Sequence, residues 1–330
     1  MPLAIFVALA VQSATARALP GDVRTYTDWV VGCDNGLACK AVAVAPEGAT
    51  ADPPLVITVD RAPGADGETI VQISGEDRPI VGRVSLMVDG RAIAAATASD
   101  GAVRIGGMPG LDAARAIANG RRVELRGAAG RWSGASLAGA AAALRDMDAR
   151  QGRAGSRGAI VARGTAADMA PAPPLPVVRR RGETGGQVRP GRALIADMAA
   201  QAACSDRARE VEAISVHPLD RGRSLVLLPC QLGAYNSVSA IFVVERGRAR
   251  PAPFDSAVPL SDNGRVPSLL NVDFDEGVLG GYGKGRGLGD CGIGEDHVWD
   301  GDRFRLISRR EMPVCRGTRE LITTWRAVVR

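Results

Sequence analysis

The six cysteines of the sequence are spaced for crosslinks rather than for metal or redox chemistry. No two of them form the C-x-x-C motif of a thioredoxin-like pair or a zinc ribbon, and 2 histidines are too few for a Cys/His zinc cluster. Six cysteines allow 15 pairings, and their occurrence as sequence neighbours favours disulfides. We expect Cys33–Cys39, Cys204–Cys230 and Cys291–Cys315, and we predict no metal and no cofactor.

The segment GYGKGRGLGDCG, residues 281–292, has the composition of an anion-binding loop. Glycines let the backbone turn its N–H groups towards an anion, and nearby basic residues would add charge. The segment fits neither G-x-x-x-x-G-K-[ST] nor G-x-G-x-x-G before a helix, and the alternative is a structural loop that Cys291 anchors. The ligand surface that we predict is Gly283–Gly292 with its neighbours, and its contact residues are Lys284, Arg286, Asp290, Trp299 and Arg303.

Trp299 admits two roles. Only 4% of the residues are aromatic, so each of the 4 tryptophans is expected to anchor a core. Because Trp299 follows the glycine-rich segment at a predicted hairpin, it could instead stack on a sugar or a peptide.

His297 has carboxylates close in sequence, as the base of a hydrolase would. Asp296 precedes it and Asp300 follows. A Ser-His-Asp hydrolase needs a histidine that takes the proton of the serine, but the sequence contains no G-x-S-x-G nucleophile motif. The other candidates are present without any motif, namely Ser224, Ser237 and His217. A packing or surface role is the simpler interpretation of both histidines.

Two acidic segments have some features of calcium loops. They are NVDFDEG (271–277) and DHVWDGD (296–302). Gly277 comes one place too late for an EF-hand, and no glutamate follows at the twelfth position. Alternating acids on an exposed strand explain the pattern equally well.

The elements that would position these residues are mainly strands. The segment PLVITVD (54–60), for example, is short and rich in β-branched residues. Asp89-Gly90 between two apolar runs is a strong hairpin signal, and Asp300-Gly301 is a second. The second half lacks long crossover helices between its strand signals, which favours antiparallel pairing.

Two segments have helical composition. Residues 136–153 are rich in alanine and leucine, with Ser136 as a candidate N-cap, and residues 192–204 open the second half. We therefore predict an α+β fold that is mostly antiparallel β, with two domains, a few helices and stabilising disulfides.

A change in composition divides the chain. Residues 161–191 are rich in proline and arginine and contain Gly-Gly, which is typical of a linker. We predict a β-rich N-terminal domain with a C-terminal helix over 22–160, and an antiparallel β domain with a leading helix over 192–330.

The positive charge is concentrated in the middle of the chain. The formal net charge is +5, and residues 101–200 carry 16 arginines against 7 acidic residues. Nucleic-acid binding would need basic residues interleaved with aromatic ones, yet Trp132 is the one aromatic residue in this stretch. A solvated linker, or contact with an anionic envelope polymer or membrane surface, explains the charge better.

The N-terminus resembles a secretory signal peptide. Residues 3–11 are apolar, and Ala14-Thr15-Ala16 and Ala16-Arg17-Ala18 follow as small-residue cleavage patterns. We predict a signal peptide over residues 1–18, a periplasmic location and no integral membrane span. The alternative is a buried N-terminal helix.

Several motifs together resemble a family of exported bacterial proteins that is catalogued as domain of unknown function 1176. The motifs are WVVGCDNGLAC (29–39), LVLLPC (225–230), GAYN (233–236), KGRGLGDCG (284–292), VWDGDRF (298–304) and CRG (315–317). The first half is also similar to the invasion-associated locus B proteins, through a tryptophan, a nearby cysteine and the export signal. The first resemblance implies no activity, and the second implies an envelope role.

We expect a non-enzymatic binding or protein-interaction role in the cell envelope, with an envelope protein or polymer as partner and no nucleic acid. The alternative is a hydrolase of an envelope polymer that uses His297 and nearby carboxylates. A third hypothesis is an inhibitor or adaptor whose loop a disulfide holds rigid.

Overall fold

The computed structural model describes residues 21–50, 54–75, 78–182, 189–255 and 266–330. The predicted signal peptide lies outside these residues. The elements of the first half are β1 (Val23–Tyr26), β2 (Trp29–Cys33), β3 (Cys39–Ala43), β4 (Leu55–Arg61), β5 (Thr69–Gly75), β6 (Arg83–Val88), β7 (Arg91–Thr97), β8 (Ala102–Ile105), α1 (Gly107–Asn119), β9 (Val123–Gly127), β10 (Gly130–Ser133) and α2 (Ala140–Arg150).

The first half forms two antiparallel sheets, with strand orders β1-β2-β3-β4-β5-β8 and β10-β9-β6-β7. Asp89 and Gly90 both have positive φ between β6 and β7, so the predicted hairpin is confirmed. The predicted helix over 136–153 begins later, at Ala140, and the N-cap prediction for Ser136 is wrong. The Ser136 hydroxyl instead donates to Asp28 at 2.6 Å.

The second half begins with a strand and the predicted helix. Its elements are β11 (Val177–Val178), α3 (Arg192–Gln201), α4 (Asp206–Val211), β12 (Ser215–Pro218), β13 (Arg223–Leu232), β14 (Ser237–Glu245), β15 (Arg248–Pro251), β16 (Ser268–Leu270), β17 (Asp273–Asp275), β18 (Val278–Lys284), β19 (Gly292–Trp299), β20 (Phe304–Met312), β21 (Ile322–Arg326) and β22 (Val328–Val329). One sheet has the order β12-β13-β14-β15, with β16 also on β14, and the other has the order β17-β18-β19-β20-β21.

The fold is therefore mostly antiparallel β with a few helices, as predicted. The exception among named strands is β11, which pairs in parallel with β22. The three disulfides are Cys33–Cys39, Cys204–Cys230 and Cys291–Cys315, the pairings that the cysteine spacing favours. No helix of the described residues has the length and apolar character needed to cross a membrane.

The first sheet is covered on both faces, which explains why every residue of β2 is buried. One face packs against α1 and α2 in a core that includes Trp29 and Leu144. The other face contributes Val30 and Val42 to a second core, which Met312 and other residues of the second half complete. The two halves therefore share a hydrophobic core.

The segment predicted as a linker has backbone hydrogen bonds to both halves. The Pro171 carbonyl accepts from the Gly64 N–H, and the Pro176 carbonyl accepts from the Val328 N–H. The loop that Cys33–Cys39 closes also joins the halves, because Asn35 exchanges two side-chain hydrogen bonds with the Arg326 backbone at 2.8 and 3.1 Å. The division into two domains at residues 161–191 stays a prediction.

Candidate functional site

The glycine-rich segment forms a β-hairpin over residues 278–299, which we call the glycine hairpin. It consists of β18, a loop over residues 285–291 and β19. Cross-strand pairing places Gly283 opposite Ile293 and Gly281 opposite Glu295. Paired residues share a face of the sheet, so two positions on this face of β18 carry no side chain. The sequence had suggested a loop over 281–292, and the loop is shorter because these glycines belong to strands.

A disulfide braces the loop of the hairpin. Cys291 is bonded to Cys315 on the segment after β20. A Cβ on Gly285 would lie 2.7 Å from the Cys291 sulfur, so the close approach of loop and disulfide requires glycine there. Asp290 accepts the Gly317 N–H at 2.8 Å, which ties the loop to the same segment.

Two of the predicted ligand-binding residues are paired with each other. Arg286 Nε donates to Asp290 at 2.7 Å, and Asp290 is buried. The hydrogen bond from Arg286 is the largest cause that lowers the pKa of Asp290. Both side chains therefore stabilise the loop from within.

Polar side chains from outside the hairpin hold its backbone. The Tyr235 hydroxyl donates to the Gly285 carbonyl at 3.2 Å. Asn236 bonds the carbonyl and the N–H of Lys284, both at 3.0 Å. The GAYN motif that contains these two residues thus acts as a support for the glycine hairpin.

An apolar cavity of about 390 Å³ lies between β16 and the glycine hairpin. We call it the apolar cavity; its lining residues are Ser268, Leu269, Leu270, Gly281, Gly283, Lys284, Gly285, Gly292, Ile293 and Glu295. The cavity exists because β18 has glycines at positions 281 and 283, where other residues would project a side chain into the space. Its size is within the range of small-molecule sites.

Glu295 is the acidic wall residue of this cavity, and it is only 2% exposed. Its Oε1 accepts from Arg309 Nη1 at 2.8 Å. Burial raises the pKa of Glu295, although Arg309 acts in the opposite direction. The wall therefore holds a poorly solvated carboxyl group inside an otherwise apolar space.

The opposite face of the hairpin borders a second cavity, of about 410 Å³, which we call the basic cavity. Its lining residues are Tyr282, Lys284, Leu288, Gly289, Gly294, Arg310, Arg319 and Leu321. Cδ and Cε of Lys284 each lie 3.9 Å from the ideal Cβ position at Gly289, so the side chain extends along this face. In the described part of the chain, neither Lys284 nor Arg319 has a carboxylate within ion-pair distance, whereas Arg310 pairs with Asp296 at 2.8 Å.

The other two predicted contact residues lie at the far end of β19 and are not part of the same surface. Trp299 is 2% exposed, and its indole Nε1 donates to Asp220 at 2.8 Å. Its ring packs against Phe304 at 5.2 Å and lies below the Arg223 guanidinium. No face of the indole is left for a ligand. Arg303 is at the turn and pairs with its neighbour Asp302.

His297 lies within the core. It is fully buried, and its ring meets the Phe254 ring edge-on at a centroid distance of 5.0 Å. Burial lowers the pKa of His297 to about 3. The imidazole is therefore neutral near pH 7 and is shielded from any substrate in solution.

The remaining sequence candidates lie in strands of the second half. Ser224 is buried in β13, and the His217 ring lies tilted against the Phe274 ring, with 4.9 Å between the ring centroids. The backbone N–H of Ser237 donates to Asn271. Within residues 21–50, 54–75, 78–182, 189–255 and 266–330, no group of three or more His, Cys, Asp or Glu is placed to hold a metal ion.

Comparison with known proteins assigns the chain to a family. Residues 23–330 match the family described as "Protein of unknown function (DUF1176)". The chain belongs to this family. The DUF1176 chain is 27% identical over 324 residues to "Uncharacterized protein YpfG" of Escherichia coli (strain K12), with 88% of each chain covered. The crystal structure of invasion associated protein B from Bartonella henselae is similar to 39% of it, at 19% identity and a TM-score of 0.30, and 98% of that chain is covered.

In this DUF1176 chain, the predicted ligand surface Gly283–Gly292 includes Gly283, Lys284, Gly285 and Gly292 of the cavity wall, but sequence reasoning missed the other wall residues. Glu295 and Ile293 sit in a stretch with ordinary strand alternation, and Leu269 precedes the hairpin. The one available signal was the alternation of glycines at 281, 283 and 285, which leaves one face of a strand bare if the segment is read as a strand.

Proposed function

We propose that the protein is exported to the periplasm and has a non-enzymatic binding role in the cell envelope, with the apolar cavity as its binding site. The observation that carries this proposal is a cavity of about 390 Å³ whose walls are fixed by a disulfide and by hydrogen bonds. A preformed concave site with mostly apolar walls and a few polar groups is typical of small-molecule binding.

Three disulfides support the export part of the proposal. Disulfides persist in oxidising compartments such as the periplasm and are rare in the cytosol. The predicted signal peptide over residues 1–18 provides the route.

The buried position of His297 speaks against the alternative of a hydrolase. A general base must reach the proton that it removes and works best with a pKa near the operating pH. His297 is fully buried, and its pKa is lowered to about 3. The nearby carboxylates Asp296 and Asp300 are paired with Arg310 and Arg305.

A protein-interaction role is the second candidate, because one apolar residue stands out at the tip of the loop. Leu288 is 65% exposed, although Cys291–Cys315 and the Arg286–Asp290 pair hold the loop around it. A rigid loop that presents an apolar side chain suits contact with a partner protein.

The test of the binding site is a fluorescence titration with N-phenyl-1-naphthylamine, a neutral apolar dye that brightens in apolar surroundings. Gly283→Val places its Cβ 2.7 Å from the flexible end of Leu270 and fills the cavity. Gly294→Ala is the matched control, because its Cβ projects from the other face and meets Tyr282 at 3.5 Å.

We expect saturable dye binding by the wild type and by Gly294→Ala, and at least tenfold weaker binding by Gly283→Val. If all three proteins bind the dye alike, or if none does, the cavity is not the binding site. Ile293→Phe fills the same space from β19 and replaces Gly283→Val if thermal melting shows that the valine variant is unfolded. Loss of envelope partners from a Leu288→Ser variant that still binds the dye would favour the protein-interaction role.

A further inference from the structure

The face of the glycine hairpin that borders the basic cavity has a position without a side chain. Tyr282 pairs with Gly294, and Gly294 pairs with Arg310, on three successive strands. Directly paired residues share a face of the sheet, and so does Lys284, which is two residues from Tyr282 on β18. An ideal Cβ at Gly294 would lie 3.5 Å from Tyr282 Cδ2 and 3.9 Å from Arg310 Nη2. The phenol ring and the guanidinium therefore flank a bare floor.

The cations around this floor outnumber their carboxylate partners. Lys284, Arg310 and Arg319 all line the basic cavity. Arg310 is compensated by Asp296, which accepts from its Nη2 at 2.8 Å. Among the residues that the structure describes, no carboxylate lies within ion-pair distance of Lys284 or Arg319. The wall of the cavity therefore has an excess of two positive charges, and a concave surface lined by one sign of charge attracts ions of the opposite sign.

The loop side of the cavity is held in place without adding net charge. Its carboxylate is Asp290, which contributes to the raised pKa of Tyr282 after the larger effect of burial. Arg286 donates to Asp290 at 2.7 Å and matches its charge. The Tyr282 hydroxyl donates to the Gly289 carbonyl at 3.0 Å, which fixes the phenol ring against the loop. The excess charge thus belongs to Lys284 and Arg319.

We propose that the basic cavity binds a phosphate monoester. Such a group carries between about 1.5 and 2 negative charges at pH 7, which matches the excess on Lys284 and Arg319. The planar fork of an arginine fits two phosphate oxygens, and the ammonium group of a lysine adds a point charge. Leu288 and Leu321 belong to the same wall, so the esterified group is apolar on this side. The site lies on the opposite face from the apolar cavity and does not rest on the proposed function of that cavity.

Other anions match this wall less well. A monocarboxylate or a sulfate monoester brings a single negative charge and leaves one of the two cations without a counter-charge. The alternative is that Lys284 and Arg319 are ordinary solvated cations. Such residues attract any anion weakly, and salt screens the attraction. A specific site differs from this alternative in that it distinguishes two anions of similar shape and different charge.

The experiment is a calorimetric titration with phenyl phosphate at physiological salt, with phenyl sulfate as the probe of similar shape and single charge. We expect saturable binding of phenyl phosphate by the wild type, on the order of tenfold tighter than binding of phenyl sulfate. Lys284→Ala and Arg319→Ala should each weaken phenyl phosphate binding by a similar factor, because each leaves part of the charge of the phosphate unmatched. Arg91→Ala is the matched control. Arg91 is exposed on β7 and has no ion-pair partner in the described part of the chain, so its loss removes one charge far from the cavity.

No binding of phenyl phosphate, or equal binding of the two probes, would overturn the inference. Equal weakening in Arg91→Ala and Arg319→Ala would also overturn it, since the anion would then respond only to the overall charge. Gly283→Val should bind phenyl phosphate as the wild type does even where it loses the dye, so the two cavities can fail separately. Loss of both ligands in this variant would reject a separate phosphate site.

A second measurement distinguishes two sources of the phosphate group. Phosphatidic acid carries a phosphate monoester as its headgroup, so the protein is sedimented with vesicles of phosphatidylcholine, with and without phosphatidic acid. Binding that requires phosphatidic acid and is lost in Arg319→Ala would assign the site to a lipid headgroup. Binding of phenyl phosphate without binding to these vesicles would assign it to a soluble ester. Either result supports the inference.

Discussion

The two ends of the glycine hairpin differ in how the same face is filled. At the packed end, Leu279 lies opposite His297, and Trp299 follows in a core with Phe254 and Phe304. At the cavity end, β18 has glycines at 281 and 283, opposite Glu295 and Ile293. One pair of strands thus borders both a packed core and a cavity. The difference arises from two missing side chains and not from a change in the backbone pairing.

The largest effect that we predict compares matched truncations at the two ends. Leu279→Ala should lower the free energy of unfolding by about 3 kcal/mol, since it opens a cavity in a packed core. Ile293→Ala should cost about 1 kcal/mol, because Ile293 already faces an empty space on one side. Urea denaturation of both variants measures the difference. Equal losses would mean that the cavity end is packed as tightly as the other.

The second prediction concerns the disulfide that braces the cavity end. Replacing Cys291 and Cys315 by serine should cost about 3 kcal/mol and should also weaken dye binding, because the loop next to Gly285 loses its support. Removal of the Cys204–Cys230 bridge is the control. It should lower the melting temperature without changing dye affinity, since neither cysteine borders the cavity. Unchanged dye binding in the first variant would show that the loop does not shape the site.

The sequence predicted a hairpin where the turn has a local signal, but it did not predict the cavity. Asp89-Gly90 encodes its turn locally, because both residues accept positive φ. Gly281 and Gly283 belong to a residue type that is depleted in strands, so their segment reads as a loop until the pairing partners are known. Glu295 was missed for a related reason. Its place in the cavity wall depends on its pairing with Gly281, and its ion pair depends on Arg309 from the next strand.

The predicted contact residues also show that local sequence does not reveal contacts between distant segments. Lys284 and Arg286 were found from charge and glycine content, and they do lie at the loop end of the hairpin. Trp299 was included because an aromatic residue near a loop often binds ligands. Its burial results from the packing of Phe304, Arg223 and Asp220 around it. Phe304 is the cross-strand partner of Trp299 in the adjacent hairpin, but Arg223 and Asp220 come from a distant part of the chain and leave no local sequence signal.

The third prediction is that His297 and Glu295, two residues apart in β19, have opposite effects on how stability changes with pH. The folded-state pKa of His297 is lowered from 6.5 to about 3, so the unfolded chain takes up this proton first. Between pH 6.5 and 3, His297 should therefore reduce stability by up to about 1.4 kcal/mol per pH unit as the pH falls. Burial raises the pKa of Glu295 above 4.5, so its contribution is present at low pH and is lost as the pH rises through the folded-state value.

Urea midpoints at several pH values between 7 and 4 test this difference. His297→Gln should flatten the loss of stability on acidification, because the unfolded chain no longer gains that proton. Glu295→Gln should make the loss steeper, because the folded state no longer takes up a proton that favours it. Equal slopes in the wild type and in His297→Gln would show that the imidazole is not buried in its neutral form.

The smallest predicted effect separates the two faces of the hairpin. Lys284 extends along the basic cavity, and no carboxylate of the described residues lies within ion-pair distance of it. Lys284 also borders the apolar cavity, but its side chain extends along the opposite face towards Gly289. Lys284→Ala should therefore change the free energy of unfolding by less than about 0.5 kcal/mol, and it should leave the affinity for the neutral dye unchanged. Fluorescence titration and thermal melting check both points. Weaker dye binding would instead mean that the lysine stem closes the apolar cavity from its mouth, and the two cavities would then have to be treated as one site that accepts an apolar chain with an anionic end.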